Sequence, residues 1–389
     1  MSVTMMVASS DPNFRENVRE GLLAATGGKI VAEFPEVASN LYVRVLQEVE
    51  RHPEAGLLVD LSADTEQALK ALERVKQAVP ELYIVASHYH ADGEMVLATV
   101  RAGASDFLLQ PIKRSEFREA LERMQRIPRR VSLLTSGLGR LYTFLGVKGG
   151  VGTTTLAVNF TSVLAQRKQS AVLLDLDLTA NDVAMQLGAT SQYTLSEVAD
   201  NLVKLDQPLF ETLAARDPLG FFHVGPPDAL DTRVYFSEAM FREFSTFLIE
   251  RYQAVVVDAG KAIADELPFA ALESSSTIFL VLTQEFPAIR NAQRYLSFLM
   301  RTGFHQDQIK IIVNHYRKKP HPGLAGLDQI QQTLNQPVFY GLPTAPAVLE
   351  AINRSRPFVA DRQAAGELDR IFRAFVDKAT SRTPAAKTA

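Results

Sequence analysis

The chain has 389 residues, 47% of them hydrophobic and 22% charged, with a net charge of -3. That length exceeds one ordinary core and points to two domains; the near-neutral charge supplies no overall basic field, so no specific nucleic-acid partner is expected. There is no cysteine, which excludes a disulfide framework and any cysteine-ligated metal and suits a cytoplasmic protein. Residues 1–6 read as the start of a strand, with no basic segment or cleavage site, so no signal peptide is expected. No apolar run approaches a membrane span, and no repeat of solenoid period is seen.

Strands and helices alternate through residues 1–127. Strands are expected over 3–8, 29–34, 56–61, 82–87 and 106–109, and helices over 13–25, 38–51, 65–78, 93–102 and 113–126. Five such units imply a doubly wound parallel sheet of the flavodoxin-like kind. Ligands in such sheets lie beyond the carboxyl ends of the strands, where Ser9, Ser10, Asp11, Asp60, Ser87 and Gln110-Pro111 stand. The set resembles a two-component receiver domain across the whole segment. The resemblance places Asp60 at the phosphoacceptor position, Ser87 at the hydroxyl position and Gln110 where receivers carry lysine. Ser9 and Ser10 occupy the places of acidic metal ligands, and two serines give Mg²⁺ little charge. Asp11 is a partial stand-in. Gln110 cannot neutralise a phosphoryl group. Asp60 is therefore read as a degenerate phosphoacceptor, and the domain as an atypical receiver used for docking or dimerisation. His88 and His90 lack a third ligand and read as solvated loop residues. The basic residues of 113–126 alternate with Glu116, Glu119 and Glu122 and read as a solvated helix face. The Arg129-Arg130 end leaves an anionic partner as the alternative.

Residues 128–139 read as a linker: Pro128 stops the helix, and Gly137 and Gly139 precede the next strand. A second domain over 140–380 follows, and the tail 381–389 is small, polar and expected to be disordered. An apolar strand over 141–147 runs into Lys148-Gly149-Gly150-Val151-Gly152-Thr153-Thr154-Thr155 and then a helical pattern. Strand, glycine turn and helix form the context of a phosphate-binding loop, with backbone N–H groups and the helix's positive end aimed at one point. The general pattern would put lysine at 153 and the Mg²⁺-binding hydroxyl at 154. Thr153 fills the lysine slot, and the one lysine is Lys148.

That early lysine resembles the deviant loop of the ParA/MinD family of P-loop ATPases. The resemblance implies ATP and Mg²⁺ as cofactors, held at Gly149, Gly150, Val151, Gly152, Thr153, Thr154 and Thr155. It also implies a homodimer in which Lys148 reaches the partner's nucleotide. Without a second lysine at the phosphates, binding should survive better than fast hydrolysis, so at most slow ATPase activity is expected.

Further along, a strand over 171–174 ends in Asp175-Leu176-Asp177, two carboxylates that share a face. By resemblance Asp177 orients the attacking water. Asp175 is equally readable as a cap of the next helix, over 182–187, for which Asp182 is the expected cap. A short strand at 221–224 ends in a turn. The buried run 252–258 closes on Asp258, the second nucleotide signature, whose carboxylate would hold Mg²⁺ through water. A strand over 277–283, a helix over 288–300 and a strand over 310–313 follow. The last ends at Asn314, the residue the resemblance assigns to the adenine base. After a short strand at 339–342, Pro343 to Pro346 should close over that base, with Pro346 in contact. The final helix, over 367–378, is amphipathic and reads as a packed core helix in preference to a membrane-touching one.

An atypical receiver joined to this ATPase, with Asp175-Leu-Asp-Leu178, Arg290-Asn-Ala292 and Leu349-Glu-Ala-Ile-Asn353, resembles the TadZ/CpaE family of pilus assembly proteins. The resemblance implies a cytoplasmic factor at a cell pole or the inner face of the membrane, with indirect membrane association. It also implies pilus and secretion machinery proteins as partners. The rival classes are a ParA-type DNA-segregating ATPase and a phosphorylation-driven response regulator.

Overall fold

The computed structural model describes residues 3–37, 41–126, 138–189, 193–228, 234–318 and 322–381. Of the expected linker only residues 138 and 139 are described, and the tail beyond residue 381 lies outside the described residues. The chain forms two compact units, one ending at Gly137 and one beginning at Leu138.

The first unit holds β1 (Thr4–Ala8), β2 (Lys29–Phe34), β3 (Gly56–Asp60), β4 (Ile84–His88) and β5 (Asp106–Leu109). All pairings are parallel, in the order β2-β1-β3-β4-β5, the flavodoxin-like doubly wound order. β1, β3 and β4 are buried throughout, which explains their continuous apolar runs. Three helices begin at aspartate caps: Asp11 before Pro12–Thr26, Asp64 before Thr65–Ala78 and Asp92 before Gly93–Arg101. Each carboxylate accepts one of the helix's unpaired N–H groups. Phe14, Val18 and Leu22 of the first helix and Phe117, Leu121 and Met124 of the last pack on Met5, Val7, Leu58 and Val85.

His88 departs from expectation. β4 runs one residue further than the apolar pattern, so His88 is buried at its end, with Nδ1 accepting from the His90 N–H at 2.9 Å. The basic face of Arg114–Arg126 behaves as read: Lys113 pairs with Glu116 at 3.0 Å, and Arg123 with Asp106 at 2.6 Å.

The second unit holds β6 (Arg140–Gly146), β7 (Ala171–Asp175), β8 (Ala215–Arg216), β9 (Phe222–Val224), β10 (Ala254–Asp258), β11 (Thr277–Leu282), β12 (Ile309–Tyr316) and β13 (Val338–Pro343). They form one eight-stranded sheet, β13-β12-β11-β6-β10-β7-β9-β8, parallel except for the β8–β9 pair. β6 lies in the middle. The helix after it, Thr153–Gln166, is buried over most of its length. Phe144, Phe160 and Phe279 meet around it, and Phe375 of the last helix, Glu367–Thr380, lies 5.4 Å from Phe279 and 5.8 Å from Phe160. The apolar face of that helix is thus spent on the core. Its Arg373 holds Asp369 at 2.8 Å and Gln166 at 2.6 Å. No described helix is long and apolar enough to cross a membrane.

Periodicity assigns nothing to Leu195–Asn201, Gln207–Leu213, Glu238–Ile249, Glu266–Glu273 or Leu327–Leu334, all helical here. Four of them are two turns long, too short to define a stripe, and the fifth is buried on most sides. The capping box Thr194-x-x-Glu197 was a legible start signal for the first.

His223 in β9 is 2% exposed, with no hydrogen-bond partner at Nε2. Burial pushes its pKa down to about 4 from the ordinary 6.5. Between those values the unfolded chain takes up a proton that the folded chain refuses, so stability is lost as pH falls from about 6.5 toward about 4. His223→Gln should therefore flatten the pH dependence of unfolding, by roughly 2 kcal/mol between pH 6.5 and 5. Denaturant titration at the two pH values measures this, and an unchanged slope would refute the assignment.

Candidate functional site

Backbone conformation builds the site first. The chain leaves β6 at Gly146, and Gly150 and Gly152 adopt φ of 77° and 89°, which residues with a Cβ rarely take. Gly152 precedes Thr153–Gln166, and no side chain caps that helix. Its first N–H groups therefore remain as donors for an anion. Close approach adds a second constraint: a Cβ at Gly152 would lie 2.4 Å from Asn314 Nδ2, and one at Gly146 would lie 2.3 Å from Thr153 Oγ1. The Thr153 side chain thus turns back against β6.

A cavity of about 470 Å³ opens above the loop. One wall is Lys148, Gly149, Gly150, Gly152, Thr153, Thr154 and Thr155, with Asp177 and Gly260 beside them. The far wall is apolar: Leu342, Val348, Leu349, Ile352, Leu368 and Phe372. A cavity that combines backbone N–H donors with apolar lining suits an anion joined to a flat ring system. Val151 faces elsewhere; its side chain is buried, so only its backbone is available to a ligand.

The two aspartates of the 175–177 pair divide their work. Asp175 is fully buried and accepts from the N–H groups of Asp177 at 3.0 Å and Val183 at 3.2 Å. Asp175 therefore takes the capping role expected of Asp182, which is only the first residue of Asp182–Leu187. Asp177 is left at the cavity, where it accepts from the Thr179 hydroxyl at 2.6 Å. Gly260 makes room for it, since a Cβ there would lie 2.7 Å from Asp177 Oδ2.

Asp258 sits opposite Asp175 in the β7–β10 register and opposite Phe144 in the β6–β10 register, level with the end of β6. Its Oδ1 accepts from Gly260 N–H at 3.1 Å, while buried Oδ2 has no partner. Burial raises the Asp258 pKa to about 6, with the Thr154 hydroxyl and the Gly260 N–H opposing the rise. Burial, reinforced by the charge of Asp258, raises Asp175 well above the carboxylate range. An orphaned, buried carboxylate oxygen beside a threonine hydroxyl fits a hydrated Mg²⁺, which takes one or two carboxylates plus phosphate oxygens. Among the described residues no three His, Cys, Asp or Glu side chains gather as a metal cluster. The groups placed to hold Mg²⁺ beside the loop are the Thr154 hydroxyl and Asp258, with Asp177 and Asp182 in the same cavity.

Three placements differ from the sequence reading or were missed by it. Asn314 lies within β12, and its Nδ2 donates to Val151 O at 2.8 Å. It braces the loop, and a base contact would have to use its other amide hydrogen or its oxygen. Pro346 is the exposed first residue of Pro346–Asn353, while Pro343, Thr344 and Ala345 form the cavity wall. Lys148 is paired within its own chain: Nζ lies 2.5 Å from Glu285 Oε2, both side chains being partly exposed. Glu285 directly precedes the helix Phe286–Arg301, and its position just beyond β11 was the one sequence signal for it.

In the first unit, Asp60 is buried where the chain switches direction between β1 and β3. Its Oδ2 accepts from Ser9 Oγ at 2.7 Å, and its Oδ1 from Gln110 Nε2 at 2.8 Å and Ser62 N at 3.0 Å. Ser87 donates instead to Leu108 O at 2.9 Å. Asp11, read as a stand-in ligand, spends Oδ1 on the N–H of Asn13 at 2.8 Å.

Gly152→Ala meets both the left-handed φ and the Asn314 amide. Strain of about 1–3 kcal/mol should weaken MgATP binding at least tenfold. Calorimetry on the folded variant tests this, and wild-type affinity would remove the loop from the binding site.

Residues 142–358 match the family model described as CobQ/CobB/MinD/ParA nucleotide binding domain. The septum site-determining protein MinD of Thermotoga maritima is 26% identical over 227 residues, covering 57% of this chain and 81% of that protein. Among solved structures, a ParA family ATPase from Chlorobium tepidum TLS matches with a TM-score of 0.56 at 20% identity, over 62% of this chain and 98% of that one. MinD complexed with Mg-ADP from Pyrococcus horikoshii OT3 matches at 0.53 and 18%, over 63% and 97%. At these identities the two structures establish likeness of fold.

Proposed function

From the premise that this chain belongs to the CobQ/CobB/MinD/ParA nucleotide-binding family, we propose that it is an ATP-dependent dimerising switch that positions a larger assembly. The observation that carries this is the cavity bounded by the glycine loop, the uncapped helix start and Asp177, with the unpartnered oxygen of Asp258 buried behind Thr154. ATP is held by the loop N–H groups and Thr154. When bound, Mg²⁺ supplies charge neutralisation at the phosphates, with Thr154 and, through water, Asp258 holding it. Asp177 orients water for hydrolysis. Thr153 brings no charge to the phosphates, so turnover is slow. Asn314 and the Pro343–Ala345 wall are the candidate base contacts.

Lys148 supports the dimer. Its carboxylate partner Glu285 is partly exposed, and such a pair is worth about 0–1 kcal/mol. A triphosphate on a second copy outcompetes it, and the dimer then depends on nucleotide. Lys148→Ala should abolish ATP-dependent dimerisation, measured by light scattering with turnover recorded on the same sample. Dimerisation at the wild-type ATP concentration would refute the cross-interface role.

The finer reading is a pilus assembly factor of TadZ/CpaE type, with the first unit as an atypical receiver. The flavodoxin-like strand order and the place of Asp60 support the receiver, and the motif strings around Asp177, Asn291 and Leu349 support the family. Homodimerisation, pilus-machinery partners and a polar or membrane-proximal site in the cytoplasm belong to this reading. Asp60 is satisfied by neutral donors alone, with Gln110 where a cation would be needed. Acetyl phosphate with Mg²⁺ should leave it unlabelled by mass spectrometry; stoichiometric labelling would favour a phosphorylation-driven regulator instead.

A further inference from the structure

The end of β12 is irregular in a way that regular strand pairing does not require. Its register with β13 breaks between Val313 and Tyr316, and His315 has a φ of 53°. Residues with a Cβ adopt that left-handed conformation uncommonly, and where they do, the surroundings hold them there. Consecutive side chains of a regular strand point to opposite faces. Here two consecutive side chains reach the same loop. Asn314 Nδ2 donates to the Val151 carbonyl at 2.8 Å, and the His315 ring lies against the same loop, where the Gly150 backbone favours its protonated form and a Cβ at Gly152 would sit 3.9 Å from its Nε2. The ring also lines the cavity.

Peptide planarity turns these contacts into control over the loop. A trans peptide sets its C=O and the following N–H in opposite directions. Holding the Val151 carbonyl on the β12 side therefore directs the Gly152 N–H away from it, and the His315 ring against Gly150 restrains the peptide that carries the Val151 N–H. Those donors lie in the loop that bounds the cavity. A loop with a lysine at position 153 could be drawn into shape by the anion and that charge together. This loop has threonine there, turned back against β6.

We propose that Asn314 and His315 are positioning residues that clamp the phosphate loop into its anion-binding curl before a nucleotide arrives. The clamp acts on the polyphosphate end of the ligand and leaves the other amide hydrogen and the oxygen of Asn314 for the base. It rests on the nucleotide-site reading above and adds how the loop is held without a second lysine. Because it acts ahead of the γ-phosphate, it serves ATP and ADP alike.

The test is backbone hydrogen exchange on the full-length, nucleotide-free protein. His315→Ala should speed exchange of the Val151 and Gly152 amides about tenfold and leave the amides of β6 and β10 unchanged. His315→Gln, which keeps an N–H donor, should restore most of the protection. In calorimetry, His315→Ala should weaken MgATP and MgADP by the same factor, about tenfold. Wild-type loop exchange in the folded His315→Ala protein would overturn the clamp, as would failure of His315→Gln to restore protection. If the wild-type protein binds neither nucleotide, the nucleotide-site reading fails, while the exchange measurement still decides whether the clamp exists.

Discussion

A short loop must pass from a buried strand end to a buried helix start, turning through left-handed backbone at Gly150 and Gly152. Neither flanking element can move to relieve that turn. β6 is a central strand, held between β10 and β11, and the helix Thr153–Gln166 is buried over most of its length, with Phe160 packed on Phe144. The core therefore fixes the loop, and the loop fixes where an anion can sit. The carboxylates follow from the same geometry. Parallel register puts Asp258 level with Asp175 and with the end of β6, so acids distant in sequence arrive beside the loop without any loop having to place them. Burial then raises their pKa values and favours a partner that restores the charged form.

The two units use one architectural idea with opposite outcomes. Each has a buried aspartate at the carboxyl end of an inner strand. Asp60 accepts from Ser9, Ser62 and Gln110, all neutral donors, and both its oxygens are engaged. Asp258 leaves one buried oxygen without a partner. A satisfied buried carboxylate has little to offer an incoming group, whereas an orphaned one carries a desolvation penalty that a ligand can relieve. The unsatisfied buried carboxylate thus lies in the second unit, and Asp60 of the first is fully paired.

Much of this was readable beforehand. Continuous apolar runs reveal strands buried on both faces, and the alternation of strand and helix dictates a parallel sheet in each unit. Glycines before Thr153-Thr-Thr155, an aspartate closing each of two apolar strands, and Asp60 at the end of β3 are local patterns with local causes. The pattern missed four helices two turns long, for which periodicity has too few repeats, and it left His88 in a loop because an imidazole does not extend an apolar run.

What the residues by themselves determined is the set of short-range commitments: which segments bury, where the backbone must turn left-handed, and which strands end in a carboxylate. Only the tertiary structure decided how those side chains are spent. Asp175 became a cap and Asp177 the half-buried acid at the cavity, Asn314 turned to a loop carbonyl, Lys148 found Glu285, and His315 joined the loop. The reason is that hydrogen bonds and ion pairs are assigned by distance in space. The partners of Asn314 and Lys148 stand more than a hundred residues away along the chain and meet them only once the sheet has set the register of its strands.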